Sequence, residues 1–173
     1  MSIFIIIDGY NLIRKYSPLS RAERGDFSKG REKLLEWLWE YRKKVPNPIT
    51  VVFDGTKGGE PEEGRDIYKG IKVRYSSLGH TADEVIKRLV SQDGEKYLVV
   101  TSDRELGSYC QFRKAGWIRS EDFAQKVEEK LWKEEKEELE EAEDLGVSAH
   151  KKKGSAFRLS KKAKKEKKYL EYL

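Results

Sequence analysis

Asp8, Asp54 and Asp103 each stand at or just beyond the end of a short apolar run. Such runs are typical of strands that are buried on both faces of a parallel sheet. The carboxyl ends of parallel strands meet at one edge, and neighbouring strands are about 4.8 Å apart, so we expect these carboxylates to lie close together. Asp83 is in the first turn of a predicted helix that enters from the same edge, and we expect it to complete the cluster.

A cluster of this kind favours a bound cation, because carboxylates forced together repel one another and their pKa values rise. Oxygen ligands suit Mg²⁺ or Mn²⁺, so we predict Asp8, Asp54, Asp83 and Asp103 as metal ligands. Such an ion generates a hydroxide from bound water and neutralises a leaving oxygen, which is the chemistry of phosphodiester hydrolysis. The competing interpretation makes each aspartate a turn or helix-cap residue, most readily Asp54 with its glycine-rich surroundings.

Polar and basic residues beside these aspartates are candidates for substrate binding. Asn11 is placed to hold a metal-bound water or a phosphate, or else to cap a helix or turn. Ser102 either binds a phosphate or caps its helix. Arg14, Lys57 and Arg104 are the cations beside the motifs, and we expect them to bind substrate phosphates. Lys57 belongs to a glycine-rich stretch that lacks the ending of a nucleotide-binding loop, so we predict a mobile loop on the substrate side.

The chain has too few histidine and cysteine residues for several common kinds of catalytic or metal site. Of the 2 histidines only His80 lies near a motif, so a ribonuclease mechanism with paired histidines is excluded. The 1 cysteine, Cys110, excludes an internal disulfide and a multi-cysteine zinc site, and indicates a reducing compartment. The apolar start is too short to span a bilayer and has no basic leader, so we expect a soluble, cytoplasmic protein without membrane contacts.

Alternating strands and helices must position these residues. Strands are predicted at 3–7, 49–53 and 97–100, with a weaker edge strand at 71–75 and a further strand at 116–119. Apolar periodicity predicts helices at 31–44 and after a cap at Ser120, and capping boxes at 81–84 and 102–105 begin two more. The alternation predicts a three-layer α/β fold with right-handed crossovers and a mostly parallel sheet of about four to five strands.

Charge is distributed unevenly along the chain, whose formal net charge is +5. Residues 121–144 contain 12 acidic and 4 basic side chains, whereas residues 150–173 contain 10 basic and 2 acidic ones. We therefore predict one α/β domain at 1–132, and an acidic helix with a basic extension at 133–173. The extension contacts RNA phosphates, stays solvated as a tail or folds back on the acidic helix, and these alternatives remain open.

Four motifs occur in the order Asp8-Gly9-Tyr10-Asn11-Leu12-Ile13, Val51-Val52-Phe53-Asp54-Gly55, Thr81-Ala82-Asp83-Glu84-Val85-Ile86 and Val99-Val100-Thr101-Ser102-Asp103. Together they resemble the YacP branch of the NYN domains, which are relatives of PIN-like nucleases. The resemblance spans about residues 3–132 and implies a PIN-like fold, a divalent-metal acidic pocket and endoribonuclease activity. Under it Asp8, Asp83 and Asp103 match the acidic metal site, Asn11 the opening motif and Asp54 the end of the second strand. It also implies a role in mRNA decay, with the ribosome as a further partner.

The leading hypothesis is a Mg²⁺- or Mn²⁺-dependent endoribonuclease in which Asp8, Asp83, Asp103 and Asn11 are catalytic and RNA is the partner. One alternative is an RNA-binding or adaptor protein that keeps the fold without catalysis. Another is a phosphatase or flap-type DNA nuclease with the same acidic edge. The four aspartates favour catalysis over the adaptor, but they do not separate RNA from DNA.

Overall fold

The structure is a computed structural model, and it describes residues 2–24, 26–55 and 63–144. The strands are β1 (Phe4–Asp8), β2 (Ile49–Phe53), β3 (Gly64–Tyr68), β4 (Ile71–Tyr75), β5 (Tyr97–Val100) and β6 (Gly116–Ile118). The helices are α1 (Gly9–Lys15), α2 (Ser17–Glu23), α3 (Phe27–Arg42), α4 (Ala82–Gln92), α5 (Arg104–Phe112) and α6 (Ser120–Asp144). Strand and helix alternate through most of this part of the chain, as the sequence predicts.

The strands form one sheet of six in the order β3-β4-β2-β1-β5-β6. Every neighbouring pair is parallel except β3 and β4, which are antiparallel. The predicted α/β class with a mostly parallel sheet is therefore confirmed. We call the edge where the parallel strands end the carboxyl edge, and the opposite one the amino edge.

The prediction of four to five strands is wrong, because β3 is a sixth strand. It pairs with the outer side of β4, so β3 and not β4 is the edge strand of the sheet. Most of β3 is exposed, so it lacks the apolar run by which buried strands are recognised. It is instead held by its hairpin with β4. The two residues of the turn, Lys69 and Gly70, have φ angles of 45° and 83°, the positive values that tight two-residue hairpins require.

Helices cover both faces of the sheet and build two apolar layers. On one face, Leu12 of α1, Leu38 of α3 and Phe123 of α6 are fully buried in the larger layer. On the other face, Ile86 of α4 and Leu106 of α5 pack in the smaller layer. Each such side chain stabilises the fold by roughly 1.5–3 kcal/mol relative to exposure, so these layers hold the strand ends rigidly in register.

The predicted helix signals have mixed outcomes. The capping box at Thr81 is confirmed, since its hydroxyl accepts from the Glu84 N–H and the Glu84 carboxylate accepts from the Thr81 N–H. The box at Ser102 is wrong, because Asp103 caps α5. Ser120 is the first residue of α6, and its hydroxyl donates to Asn11 instead of capping. Helices α1 and α2 are short and were not predicted.

Two predicted features lie wholly or partly outside the described residues. The predicted glycine-rich loop at 55–61, with Lys57, lies within the undescribed residues 56–62 except for Gly55, and the predicted basic extension at 147–173 lies within the undescribed residues 145–173. Helix α6 itself continues without a break across the predicted domain boundary after residue 132. In the described part of the chain, no helix combines the length and the apolar character needed to cross a membrane.

Candidate active site

The centre of the sheet has a topological switch point at its carboxyl edge, where α/β sheets form a crevice. Strands β1 and β5 are neighbours, but α1 leaves β1 toward one face and α5 leaves β5 toward the other. Ligand sites of open α/β sheets lie at such a switch point, outside the ends of the strands. Asp8 ends β1 here, and Thr101, Ser102 and Asp103 follow β5.

Asp8 is the most buried carboxylate of this edge, with 8% of its surface exposed. Its Oδ2 accepts a hydrogen bond of 3.0 Å from the Thr101 hydroxyl, and its Oδ1 accepts from the Asn11 N–H at 3.4 Å as the cap of α1. Burial raises the pKa of Asp8 from 3.8 to about 6, with additions from the charges of Asp83 and Asp103, although both hydrogen bonds oppose the rise. No cation appears among these influences.

Thr101 links two of the predicted aspartates. Its side chain is fully buried, and its hydroxyl donates to Asp8 while accepting from the Asp103 N–H at 3.2 Å. Asp103 is exposed, and its Oδ1 caps α5 by accepting from Glu105 N at 2.7 Å and Leu106 N at 3.0 Å. Asp103 is thus both a helix cap, as the competing interpretation holds, and a neighbour of the buried acid.

Asp83 approaches from α4, whose capping box holds the first turn in place. Burial raises the pKa of Asp83, as do the charges of Asp103, Glu105 and Asp54, while Lys87 lowers it. The structure therefore brings Asp8, Asp83 and Asp103 within electrostatic range of one another, and Asp54 within range of Asp83. Lys87 was not among the predicted site residues, although its place one helical turn after Asp83 is a sequence signal that would have found it.

Asn11 joins three elements behind the aspartates. Its Oδ1 accepts from the Ser102 N–H at 2.9 Å and from the Ser120 hydroxyl at 2.8 Å. It is the third residue of α1 rather than a cap, so that alternative is wrong. Its backbone N–H bonds to Asp8, so Asn11 ties the end of β1 to the segment after β5 and to the start of α6. This geometry favours a positioning role.

Ser102 is engaged with Glu121, which the sequence analysis missed. The Ser102 hydroxyl donates to the Glu121 carboxylate and accepts from the Ser120 N–H at 3.1 Å. Burial acts to raise the pKa of Glu121, but the bond from Ser102 and the charges of Arg119 and Lys15 outweigh it and lower the pKa. Ser102 therefore bonds to protein groups in this structure instead of capping α5.

The predicted substrate-binding cations are placed differently from one another. Arg14 is exposed, with its guanidinium carbon 5.7 Å from the centre of the Tyr10 ring. Arg104 is exposed at the first turn of α5, directly after Asp103. Lys57 lies outside the described residues. Both described arginines are therefore exposed, Arg104 beside Asp103 and Arg14 against Tyr10.

The donor set at this edge fits a hydrated hard cation better than a closed cage of protein ligands. Within residues 2–24, 26–55 and 63–144, no three acidic, histidine or cysteine side chains are grouped closely enough to hold one ion directly. Mg²⁺ usually keeps several waters and uses one or two carboxylates. The mutual repulsion of Asp8, Asp83 and Asp103 is what such a hydrated cation would relieve.

The chain is similar in sequence to a curated protein of Bacillus subtilis (strain 168). That protein carries the name uncharacterized protein YacP, and the two are 30% identical over 87 residues, 49% of this chain and 49% of that protein. The matched segment therefore spans about half of the relative's length.

Two crystal structures of Rae1 (YacP) from Bacillus subtilis share the fold. A tryptophan-to-leucine mutant gives a TM-score of 0.68 at 22% identity, over 84% of this chain and 87% of the other. A second Rae1 structure gives 0.65 at 23% identity, over 83% of each chain. In sequence, the profile of the YacP-like NYN domain matches residues 5–171, which extends past the predicted boundary at 132. The chain therefore belongs to the YacP-like NYN domain family, whose PIN-like fold supports a nuclease-type function.

Proposed function

We propose that this protein is a divalent-metal-dependent endoribonuclease that hydrolyses RNA phosphodiester bonds, in mRNA decay or RNA processing. The observation that carries the proposal is Asp8, a buried carboxylate at the switch point whose charged neighbours are two further aspartates. A buried carboxylate with like charges beside it is unfavourable for folding and is common where catalysis takes place. Membership of a family with a nuclease-type fold supports the same assignment.

Asp8, Asp83 and Asp103 would hold a hydrated Mg²⁺ or Mn²⁺, partly through its water molecules, with Asp54 as a further oxygen donor at the edge. When bound, the ion supplies an activated water and neutralises charge at the scissile phosphate. Thr101 and Asn11 keep Asp8 oriented toward the crevice. Lys87 favours the ionised form of Asp83, which is the form that binds a cation.

Basic side chains at the carboxyl edge counter the repulsion between these acids and the RNA backbone. Arg14 and Arg104 are exposed, on the helices that follow β1 and β5. Neutralising phosphates makes binding fall with salt, so affinity should weaken as ionic strength rises. The proposed cellular setting, turnover of mRNA including mRNA on ribosomes, is compatible with such a surface.

An RNA-binding protein without catalysis is the second candidate. It is favoured by the lack, in the described part of the chain, of a three-residue group able to hold a metal directly. The raised pKa of Asp8 favours the enzyme, since a binding surface for RNA gains nothing from a buried acid.

The decisive experiment incubates purified protein with end-labelled single strands of RNA and DNA of the same sequence. Each is tested with Mn²⁺, with Mg²⁺ and with a chelator. We expect internal cuts in RNA with metal, and none with chelator. Cleavage in chelator would overturn the metal mechanism, cleavage of DNA alone would make the protein a DNA nuclease, and tight RNA binding without cuts would favour the adaptor.

A further inference from the structure

A wall of aromatic side chains lies at the carboxyl edge next to Asp54. Phe53 ends β2 and Tyr75 ends β4, and their rings stack with centroids 5.7 Å apart. Tyr10 of α1 packs on Phe53 at 5.2 Å, and Phe27 at the start of α3 packs on Tyr10 at 6.0 Å. The wall thus begins beside the acidic crevice, because Tyr10 follows Asp8 by two residues, and it runs outward along the ends of β2 and β4.

Arg31 is held at this wall by hydrogen bonds to uncharged hydroxyl oxygens. Its Nη1 donates to the Tyr10 hydroxyl and its Nη2 to the Ser28 hydroxyl, both at 2.9 Å. Burial raises the pKa of Tyr75, whereas the charge of Arg31 and its hydrogen bond to that phenol oppose the rise, so Tyr75 is a third partner. Hydroxyl groups orient a guanidinium but do not neutralise it.

The half-buried Arg31 therefore keeps a net positive charge in a fixed orientation. Among the described residues, every recorded partner of this guanidinium is a hydroxyl, and none is a carboxylate. This differs from Arg88 and Arg119, each of which is paired with a glutamate. A rigid, uncompensated guanidinium is well suited to bind a phosphate, since its planar donors match phosphate oxygens and little side-chain entropy is lost.

Two further side chains complete a nucleotide-sized arrangement. Arg14 lies over the same Tyr10 ring that Arg31 bonds, so two guanidiniums flank one tyrosine. Phe27, 41% exposed, makes an edge contact with the same Tyr10 ring. Positive charge beside an exposed ring is the combination that proteins use to hold a phosphate and to stack an unpaired base.

We propose that Arg31, Arg14 and Phe27 bind a nucleotide of single-stranded RNA that flanks the scissile bond, with Arg31 on its phosphate and Phe27 against its base. The inference rests on the proposed function and deepens it by naming the substrate class. A base that stacks on Phe27 has to be free of a pairing partner, so a duplex cannot use this subsite. The strand then runs from the acidic crevice past Asp54 and along the aromatic wall.

The test measures binding of a fluorescein-labelled 12-nucleotide single strand of RNA by anisotropy, in chelator, over a range of salt concentrations. Arg31→Gln is expected to weaken affinity about tenfold and to lower the salt slope by about 1. Arg42→Gln, at the other end of α3 and at the amino edge, is the matched control and should change neither quantity. An unchanged slope in Arg31→Gln, even with lower affinity, would overturn the proposal.

Two more variants separate contact with RNA from support of the fold. Arg31→Lys keeps the charge and should keep the salt slope, while losing part of the affinity. Phe27→Ala should weaken binding of the single strand about fivefold to tenfold but leave the affinity for a blunt duplex of the same sequence unaltered. Thermal melting by circular dichroism checks each variant. Equal losses for single strand and duplex in Phe27→Ala would also overturn the proposal.

Failure of this inference is distinguishable from failure of the proposed function, since binding in chelator needs no cleavage. If wild-type protein cuts RNA while Arg31→Gln keeps its affinity, slope and KM, the subsite is wrong and the nuclease stands. If wild-type protein never cuts with Mn²⁺ but binds single strands through Arg31 and Phe27, the subsite stands and the nuclease is wrong.

Discussion

Surface carboxylates at the amino edge of the sheet and the buried Asp8 at its carboxyl edge are held in different ways. At the amino edge carboxylates are paired with lysines nearby, Asp93 with Lys96 at 2.5 Å and Glu95 with Lys114 at 3.4 Å. At the carboxyl edge Asp8 accepts hydrogen bonds from a hydroxyl and a backbone N–H, and the negative charges of Asp83 and Asp103 help to raise its pKa.

The difference separates exposed, paired acids from a buried acid whose nearby charges include those of two further aspartates. Exposed ion pairs contribute about 0–1 kcal/mol and are easily replaced, so those of the amino edge need no further explanation. A buried carboxylate beside other carboxylates opposes folding, and Asp8, which Thr101 and Asn11 hold in place, is where the proposed cation would relieve that cost. The charge of Lys87 lowers the pKa of Asp83 and so partly offsets the repulsion there.

The largest expected effect comes from exchanging one acid at each edge. Asp8→Asn should reduce RNA cleavage by about 10³-fold, because it removes charge where the crevice needs it while keeping the shape of the side chain. Asp93→Asn, at the amino edge, should leave the rate unchanged. Single-turnover cleavage with Mn²⁺ measures both. Equal activity in the two variants would erase the contrast between the edges.

A second, smaller effect is expected from the residue that joins Asp8 to Asp103. Thr101→Val is isosteric but lacks the hydroxyl, so both hydrogen bonds are lost and cleavage should fall by about 10–100-fold. Thr101→Ser keeps the hydroxyl and should recover most of the rate. Wild-type activity in the valine variant would show that the acids hold their positions without this link.

The stability of the metal-free protein tests whether Asp8 is strained. Raising the pKa of Asp8 from 3.8 to about 6 corresponds to a destabilisation of the folded state by roughly 3 kcal/mol at most. In urea denaturation at pH 7.5, the free energy of unfolding of Asp8→Asn should therefore exceed that of the wild type by about 1–3 kcal/mol. The folded pKa lies above the unfolded value, so the folded state binds this proton more tightly, and wild-type stability is lost as pH rises from 3.8 through about 6. The advantage of the variant should therefore vanish near pH 4. An advantage that is constant from pH 4 to 7.5 would mean that Asp8 is not a desolvated acid.

The smallest effect is a displacement of the pH profile. Lys87 lowers the pKa of Asp83, so Lys87→Gln should move the acid limb of the cleavage profile to higher pH while the rate on the plateau changes only a few-fold. Lys96→Gln, at the amino edge, serves as the comparison and should leave the profile in place. A shift of equal size in both variants would show that net charge, and not the contact with Asp83, governs the profile.

Part of the fold and of the site follows from local patterns. Strands β2, β4 and β5 begin and end where the apolar runs do, and the box at Thr81 begins α4, because backbone sterics, side-chain branching and capping act within a few residues. The same reasoning places an aspartate at the end of each of three strands. Local patterns do not predict the polar strand β3, because it is held by its pairing with β4 and has no apolar run of its own.

What the sequence determined by itself is therefore the kind of chemistry on offer: carboxylates at the ends of buried strands, with cations nearby. Only the tertiary structure decided how each is held. It joined Asn11 to Ser102 and Ser120, placed Glu121 against Ser102, and bonded Arg31 to Tyr10. These partners are far apart along the chain, and whether they meet depends on how helices pack on the sheet, a global balance of burial and chain entropy that no short window of residues contains.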